Sequence, residues 1–312
     1  MEKHLHSHDH NQHGHNHNHD YSELSGKKIL FATLLNGIIT IVEIIGGLLS
    51  GSLALLSDSL HNLSDTIAIA LSYFTNKISK KSGNERKTFG YKRAEILSAF
   101  INSASLLAIS ILLIIEAIKR FYNPETINGN MMLIVATVGL LANLIAVILL
   151  QKDSKGNINI KSSYLHLISD TVSSVGVILG GIAIKLWNIT WIDPVITIAI
   201  SIYIIKESYE ILVKTINILM QSSPQLDFED IKDDIEKIEG VNNIHHIHAW
   251  YLNDKAIYFE AHVDVIDMKV SQTNEVYKEI CEILNHEHGV NHITIQFEHN
   301  LCEDKKIIKD EA

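Results

Sequence analysis

Six long apolar segments, separated by short polar connections, occupy most of the first 221 residues. A helix needs roughly 20 residues to cross a bilayer core of about 30 Å, and each segment meets that length. We therefore predict an α-helical membrane protein with six transmembrane helices. The predicted spans are Lys28–Leu49, Ser52–Thr75, Ala94–Ala117, Met131–Leu150, Ser162–Leu186 and Ile192–Leu212.

After Ser223 the pattern changes to short elements in the order helix, strand, strand, helix, strand. Such an order predicts a small α+β domain with an antiparallel sheet. The expected elements are Phe228–Ile238, Asn243–Leu252, Ala256–Val265, Gln272–Asn285 and His292–Glu298. The predicted domains are an N-terminal tail (1–26), a membrane domain (27–221), a soluble domain (222–300) and a C-terminal tail (301–312).

Basic residues indicate the orientation of the chain in the membrane. The loop between the second and third spans carries seven lysine or arginine residues, and loops rich in these residues stay on the cytoplasmic side. The connection between the fourth and fifth spans, with Lys152, Lys155 and Lys161, agrees. Both termini and the soluble domain of this multi-pass cell-membrane protein are therefore expected in the cytoplasm. Lys119 and Arg120, at the opposite end of the third span, depart from this pattern.

Acidic charge is concentrated in the C-terminal part of the chain. From Ser222 onward there are 20 acidic and 8 basic residues, whereas the part before it has 16 acidic and 18 basic residues. An acidic surface attracts cations and repels nucleic acid, so we exclude nucleic acid as a partner. The two cysteines, Cys281 and Cys302, imply neither a disulfide framework nor a CxxC metal motif.

A ten-residue motif occurs twice within the predicted spans. Ser57–Thr66 in the second span and Ser162–Thr171 in the fifth both read S-x-x-L-H-x-x-S-D-T. The His and the Asp of each copy are four residues apart, so they share one face of a helix. In the predicted topology the two helices run in opposite directions and carry matching pairs. These pairs are His61 with Asp65, and His166 with Asp170.

Ionisable side chains within a membrane cost a few kcal/mol each and mark transport pathways. Two imidazoles and two carboxylates are ligands of tetrahedral zinc, and four protein ligands leave no position for a catalytic water. The pattern therefore predicts a carrier and not an enzyme. The alternative interpretation is hydrogen bonding between packed helices, which we also expect for Glu43. Asp58 is assigned either to capping and local solvation or to the support of a metal ligand.

Several stretches resemble the cation diffusion facilitator family, in particular its bacterial CzcD-like branch of cobalt, zinc and cadmium resistance proteins. They are Gly51–His61, Thr88–Leu97, the His166/Asp170 pair, His248–Trp250 and Thr294–Glu298. The likeness extends from Lys27 to Glu298. It implies six spans, a ferredoxin-like cytoplasmic domain, a homodimer surrounded by membrane lipid, and exchange of metal for protons.

The same resemblance assigns two groups of metal-binding residues. The transport site would consist of His61, Asp65, His166 and Asp170. In the family, such a His/Asp combination accompanies a preference for zinc. The cytoplasmic site would include His245, His262 and Glu298.

The chain also departs from the pattern of some relatives. Gln296 replaces a histidine that ligates metal in some of them, so a complete copy of their binuclear site is not expected. The loop Ile78–Tyr91 contains no histidine for the additional site that others have there. Cys302 and His299 follow the last predicted strand closely enough to join the cytoplasmic site.

The N-terminal tail is rich in histidine, asparagine and glycine. Its eight histidines are His4, His6, His8, His10, His13, His15, His17 and His19. A segment of this composition cannot bury a core, so we expect it to be disordered. Pairs of imidazoles bind zinc-like ions weakly, and we interpret the tail as a metal-capturing segment. A purification tag is the alternative, which the irregular spacing disfavours.

Together these patterns predict secondary active efflux of zinc, with cobalt and cadmium as further candidate substrates, in exchange for protons. Zinc would be the transported ion and a candidate regulatory ion, with no prosthetic group. One alternative is an intramembrane metalloenzyme, which the lack of an HExxH motif disfavours. The other is a membrane metal sensor that signals through the cytoplasmic domain without transport.

Overall fold

The computed structural model describes residues 18–79, 81–151 and 158–308. Six long helices come first: α1 (Asn18–Ser50), α2 (Leu53–Ser79), α3 (Ala94–Tyr122), α4 (Gly129–Gln151), α5 (Ile158–Trp187) and α6 (Ile192–Leu219). Short elements follow: α7 (Phe228–Ile235), β1 (Val241–Tyr251), β2 (Ile257–Val265), α8 (Thr273–His286) and β3 (His292–Glu298). Each predicted span overlaps one of the six long helices.

The described chain divides into two units. One comprises the described residues up to Thr66 together with Glu116–Ile200, and the other comprises Ile67–Ile115 together with the described residues from Ser201 onward. The duplicated motif therefore lies wholly in the first unit, and α7, α8 and the three strands lie in the second.

Four of the described helices contain stretches that are long and apolar enough to cross a membrane. These stretches are Thr33–Ser50, Ala94–Tyr122, Gly129–Gln151 and Tyr164–Trp187. Leu112, Ile134 and Val172 are each more than half exposed, and apolar surface of this kind is stable in lipid but not in water. Helices α2 and α6 are of similar length, with 27 and 28 residues, but are not among these four.

Helix α4 packs between α1 and α5 within the first unit. Met132 and Ala136 on α4 and Val177 on α5 are buried in the apolar cluster that joins these helices. Gly46 lets α1 approach α4 closely, because a Cβ atom at this position would lie 2.6 Å from both methyl carbons of Val135. Small residues at helix contacts are typical of membrane helices, where close backbone approach supplies the packing energy.

A buried carboxylate from α6 caps the start of α2. Asp193 accepts hydrogen bonds from Ser52 Oγ (2.5 Å), Leu53 N (2.9 Å) and Ala54 N (3.2 Å), so it satisfies amides that the first helical turn leaves unpaired. Arg120 Nη1 lies 4.0 Å from Asp193 and donates to the carbonyl oxygen of Gly51. Arg120 therefore has a structural role, which explains its departure from the distribution of basic residues.

The C-terminal elements form a three-stranded sheet in the order β1-β2-β3. Strands β1 and β2 pair antiparallel, with His245 opposite His262. Strands β2 and β3 pair parallel, with His262 opposite Gln296, so the prediction of an antiparallel sheet is wrong for this pair. The physical reason is the connection: α8 joins β2 to β3, and a helical crossover returns the chain to the same end of the sheet.

Two amphipathic helices cover this sheet. Ile231 and Ile235 on α7 are four residues apart and are buried, as are Val276, Ile280 and Leu284 on α8. The side chain of Asp227 caps α7 by accepting from the amides of Glu229 and Asp230. Because these apolar stripes pack on Phe259 and its neighbours in the sheet, the α+β domain has a core of its own.

The two predicted tails are only partly described. Residues 1–17, with all but one of the tail histidines, lie outside the described residues, and α1 already begins at Asn18. The described part of the C-terminal tail lies alongside β1 and forms backbone hydrogen bonds with it. There, the amides of His246 and Ile247 donate to the carbonyl oxygens of Lys306 and Ile307.

Candidate metal centres

Helices α2 and α5 bring the two copies of the motif together. His61 and Asp65 are one turn apart on α2, and His166 and Asp170 are one turn apart on α5. Each of the four side chains offers one ligand atom, and these four atoms all lie within 4.8 Å of one another. All four residues that the sequence assigns to the transport site thus form one group.

Contacts within this group cross between the helices. His166 Nε2 lies 3.0 Å from Asp65 Oδ2 and 3.6 Å from Asp170 Oδ2. His61 Nε2 lies 3.6 Å from Asp65 Oδ2 and 3.9 Å from Asp170 Oδ1. The two imidazole rings meet edge to face, with centroids 5.8 Å apart. Each imidazole therefore faces both carboxylates.

Each His/Asp pair has one buried member and one more exposed member. The exposed fractions of the side chains are 7% for His61 and 2% for Asp170, against 24% for Asp65 and 38% for His166. Both carboxylate oxygens of Asp170 are buried, and neither accepts a hydrogen bond from a described residue. A buried carboxylate without donors is costly, and a cation between the four ligand atoms would offset that cost. The residues therefore fit a divalent cation.

Two further carboxylates support the same helices from outside the group. Ser173 Oγ donates to Asp58 Oδ1 (2.5 Å) and Ser174 Oγ donates to Asp58 Oδ2 (3.3 Å), so this side chain joins α2 to α5 one turn from His61. Asn62 Nδ2 donates to Glu43 Oε2 (3.3 Å), which joins α2 to α1. The prediction of a helix–helix contact at Glu43 is thus confirmed, and Asp58 also bonds between helices.

The C-terminal domain contains a second group of possible ligands. His245 Nε2 lies 3.1 Å from Glu298 Oε1, and His262 Nδ1 lies 3.3 Å from Glu298 Oε2. Strands β1, β2 and β3 each supply one of these residues, and the side chains of His245 and Glu298 are almost fully buried. The structure thus brings together the three residues that the resemblance assigns to a cytoplasmic site.

Cys302 completes a four-membered group. Its Sγ lies 3.4 Å from Glu298 Oε2 and 3.9 Å from His262 Nδ1. His299 does not join the group, because its Nδ1 lies 2.7 Å from the backbone carbonyl oxygen of Val265. The sequence signal for Cys302 is only its position four residues after Glu298, and its place beside the two histidines depends on the turn that follows β3.

Hydrogen bonding and burial favour the form of His245 that can bind a metal ion. Its Nδ1 lies 3.0 Å from Asn243 Oδ1, which can only accept, so the ring proton belongs on Nδ1 and the lone pair of Nε2 faces Glu298. Burial lowers the pKa of His245 below its ordinary value, so the imidazole stays neutral at pH 7. Neutral imidazole is the form that ligates metal.

Gln296 lies beside this group and not in it. It lines a pocket of about 170 Å³ with His246, His248 and His262. The rings of His246 and His262 have centroids 4.6 Å apart. His262 therefore belongs to the four-membered group and also lines this pocket.

Two parts of the chain match domains of known proteins. Residues 29–220 match the cation efflux transmembrane domain, and residues 223–300 match the cytoplasmic domain of cation efflux proteins. The chain belongs to the cation efflux, or cation diffusion facilitator, family. It is 39% identical over 300 residues to the cadmium, cobalt and zinc/H(+)-K(+) antiporter of Bacillus subtilis, covering 92% of this chain and 96% of that protein.

Other relatives in this family are named as transporters too. The zinc transporter ZitB of Pectobacterium atrosepticum is 37% identical over 283 residues, covering 90% of this chain and 88% of the relative. The metal cation efflux system protein CzcD of Cupriavidus metallidurans is 34% identical over 278 residues, covering 89% of this chain and 88% of the relative. This chain is accordingly a membrane cation efflux transporter, and the relatives give no support to an enzyme.

Proposed function

We propose that this protein exports zinc from the cytoplasm in exchange for protons, and that His61, Asp65, His166 and Asp170 bind the transported ion. The observation that carries the proposal is the convergence of four ligand atoms from α2 and α5 within 4.8 Å. Because two turns of two helices hold the site, a small rotation of one helix would open it. Sites between such repeated helices are typical of alternating access.

The donor atoms favour zinc among the divalent cations. Two imidazole nitrogens and two carboxylate oxygens suit a tetrahedral zinc ion, whereas magnesium and calcium prefer six or more oxygen ligands. Cobalt and cadmium accept the same donors, and we include them as substrates. The name of the relative from Bacillus subtilis, which includes cadmium, cobalt and zinc, supports this range.

Protons provide the exchange because they compete with the metal for the same atoms. A protonated imidazole or carboxyl cannot ligate zinc, so proton entry expels the metal and metal entry releases protons. His61 and His166 are our candidates for the exchanged protons, since an imidazole that gains a proton loses the lone pair with which it ligates metal. The contact of 3.0 Å between His166 Nε2 and Asp65 Oδ2 supports this coupling.

In this proposal all six long helices cross the membrane and both termini lie in the cytoplasm. The membrane domain covers 27–221, and the cytoplasmic domain (222–300) adopts the ferredoxin-like fold of the family and dimerises with a second copy. The cytoplasmic group binds zinc as a regulatory ion through His245, His262 and Glu298, with Cys302 as the fourth ligand. The histidine-rich tail captures metal ions for the transport site.

Zinc flux in proteoliposomes tests this function. Purified protein is reconstituted, zinc is added outside, and an internal dye reports zinc while the pH gradient is set independently. We expect zinc uptake that follows the proton gradient and stops when an ionophore collapses it. Zinc flux that is independent of the proton gradient would refute proton exchange, and the absence of any flux would favour the membrane sensor.

A further inference from the structure

A third group of metal-ligating side chains lies in the C-terminal domain, apart from the two groups described above. It consists of Asp230 and Asp234 on α7 and of His288, which follows α8. The ligand atoms of these three residues all lie within 4.8 Å of one another. Asp230 and Asp234 are four residues apart, so both face the end of α8 from one side of α7.

His288 is held in place and aimed at the two carboxylates. Gly289 adopts a positive φ of 68°, and Val290, which is fully buried, donates its amide to the carbonyl oxygen of Leu284. This arrangement ends α8 and fixes the backbone at His288. The side chain of His288 is only 10% exposed, and its Nε2 forms no hydrogen bond with any described residue. Nε2 lies 3.6 Å from Asp234 Oδ2, too far for a hydrogen bond.

Lys237 competes for one of these carboxylates. Its Nζ donates to Asp234 Oδ1 at 2.8 Å, and this hydrogen bond lowers the pKa of Asp234, so the carboxylate is ionised. The side chain of Lys237 is 72% exposed and can turn into solvent, because an exposed ion pair contributes little. Asp234 Oδ2 remains directed at His288.

We propose that Asp230, Asp234 and His288 form a second zinc-binding site in the C-terminal domain, which joins α7 to the end of α8. One imidazole with two carboxylates suits zinc and related transition metals, whereas calcium and magnesium prefer oxygen ligands alone. Three protein ligands leave a position for water. With fewer ligands and a competing ammonium group, this site binds zinc more weakly than the group of His245, His262, Glu298 and Cys302.

Hydrogen–deuterium exchange of the full-length protein in detergent, over a series of buffered free zinc concentrations, tests this site. Peptides are read separately, so zinc bound by the tail or by the membrane helices does not obscure the result. We expect zinc to slow exchange in peptides covering 228–238 and 284–291, which contain the proposed ligands. This protection should require higher free zinc than the protection of peptides covering 257–265 and 292–302, which contain ligands of the stronger group.

Four variants separate this site from other causes of protection. His288→Gln is expected to raise the zinc concentration for half-protection of 228–238 at least about tenfold. Lys237→Gln is expected to lower it, because it removes the competing ammonium group. Exposed His286, two residues before the proposed ligand, provides the matched control, and His286→Gln should change nothing. Cys302→Ser should leave this transition unchanged.

Two results would overturn the proposal. One is an unchanged protection of 228–238 in His288→Gln, and the other is the absence of local protection in the wild-type protein at any zinc concentration that protects 292–302. Peptides elsewhere in the domain report in the same data whether each variant is folded. Because zinc flux is not measured, the outcome is independent of the proposed transport function.

Discussion

The cap that α6 supplies to α2 leads to a quantitative prediction for Asp193→Ala. The substitution removes the acceptor of three hydrogen bonds, from Ser52 Oγ, Leu53 N and Ala54 N. Loss of a helix cap costs about 0.5–2 kcal/mol. Each buried donor that is left unpaired costs about 1–3 kcal/mol more. With part of the loss recovered by solvent and by rearrangement, we expect a destabilisation of about 2–4 kcal/mol.

Asp193→Asn removes the charge and retains two of the three hydrogen bonds. Its amide oxygen can still accept from Ser52 and Ala54, which both bond Oδ1, whereas the bond from Leu53 to Oδ2 is lost. We therefore expect Asp193→Asn to destabilise the protein by about 1 kcal/mol, close to the typical net value of one hydrogen bond. Glu125→Gln is the matched control, since the ion pair of Glu125 with Arg120 involves an exposed carboxylate and contributes little.

Thermal unfolding of the purified protein in detergent measures these differences. For a domain of this size, 2–4 kcal/mol lowers Tm on the order of 5–15 °C. The expected order of Tm is wild type and Glu125→Gln, then Asp193→Asn, then Asp193→Ala. An Asp193→Ala protein that unfolds at the wild-type Tm would refute the structural role of the cap.

Three further predictions concern metal binding. Cys302→Ser should weaken zinc binding by the cytoplasmic group at least about tenfold, as measured by competition with a zinc chelator; unchanged affinity would exclude the thiolate as a ligand. His61→Asp should retain transport and raise cadmium or manganese flux relative to zinc, because the harder and more anionic site favours larger or oxygen-preferring ions, whereas His61→Ala should lower all fluxes. Deletion of residues 1–20 should preserve maximal zinc flux and lower only the flux at low zinc; complete loss of flux would contradict a capturing role.

Local patterns predicted most of the helices and strands. Apolar runs and the 3.6-residue period identify long helices even where their ends differ, as at α6, which continues to Leu219 and not only to Leu212. Polar residues after a membrane span can extend the same helix, so hydropathy alone does not predict its end. The duplicated motif identified the His/Asp group because i and i+4 positions share a helix face.

Contacts between residues far apart in the chain could not be read from local patterns. Asp193 and Ser52 are 141 residues apart, and no motif connects them. Cys302 reaches His262 only because β3 pairs parallel to β2, and the prediction of an antiparallel sheet would have directed the residues after β3 to the other end of the sheet. Sheet topology therefore decides the composition of the cytoplasmic group.

Zinc flux through a variant with three of the four proposed membrane ligands tests the central claim most directly. Asp170→Ala and Asp65→Ala are reconstituted in proteoliposomes with an imposed pH gradient, after size-exclusion chromatography has shown that each variant is folded and elutes like the wild type. If the four side chains bind the transported ion, zinc flux falls to the level of protein-free liposomes in both variants. Zinc flux near the wild-type rate in either variant would contradict the proposed site.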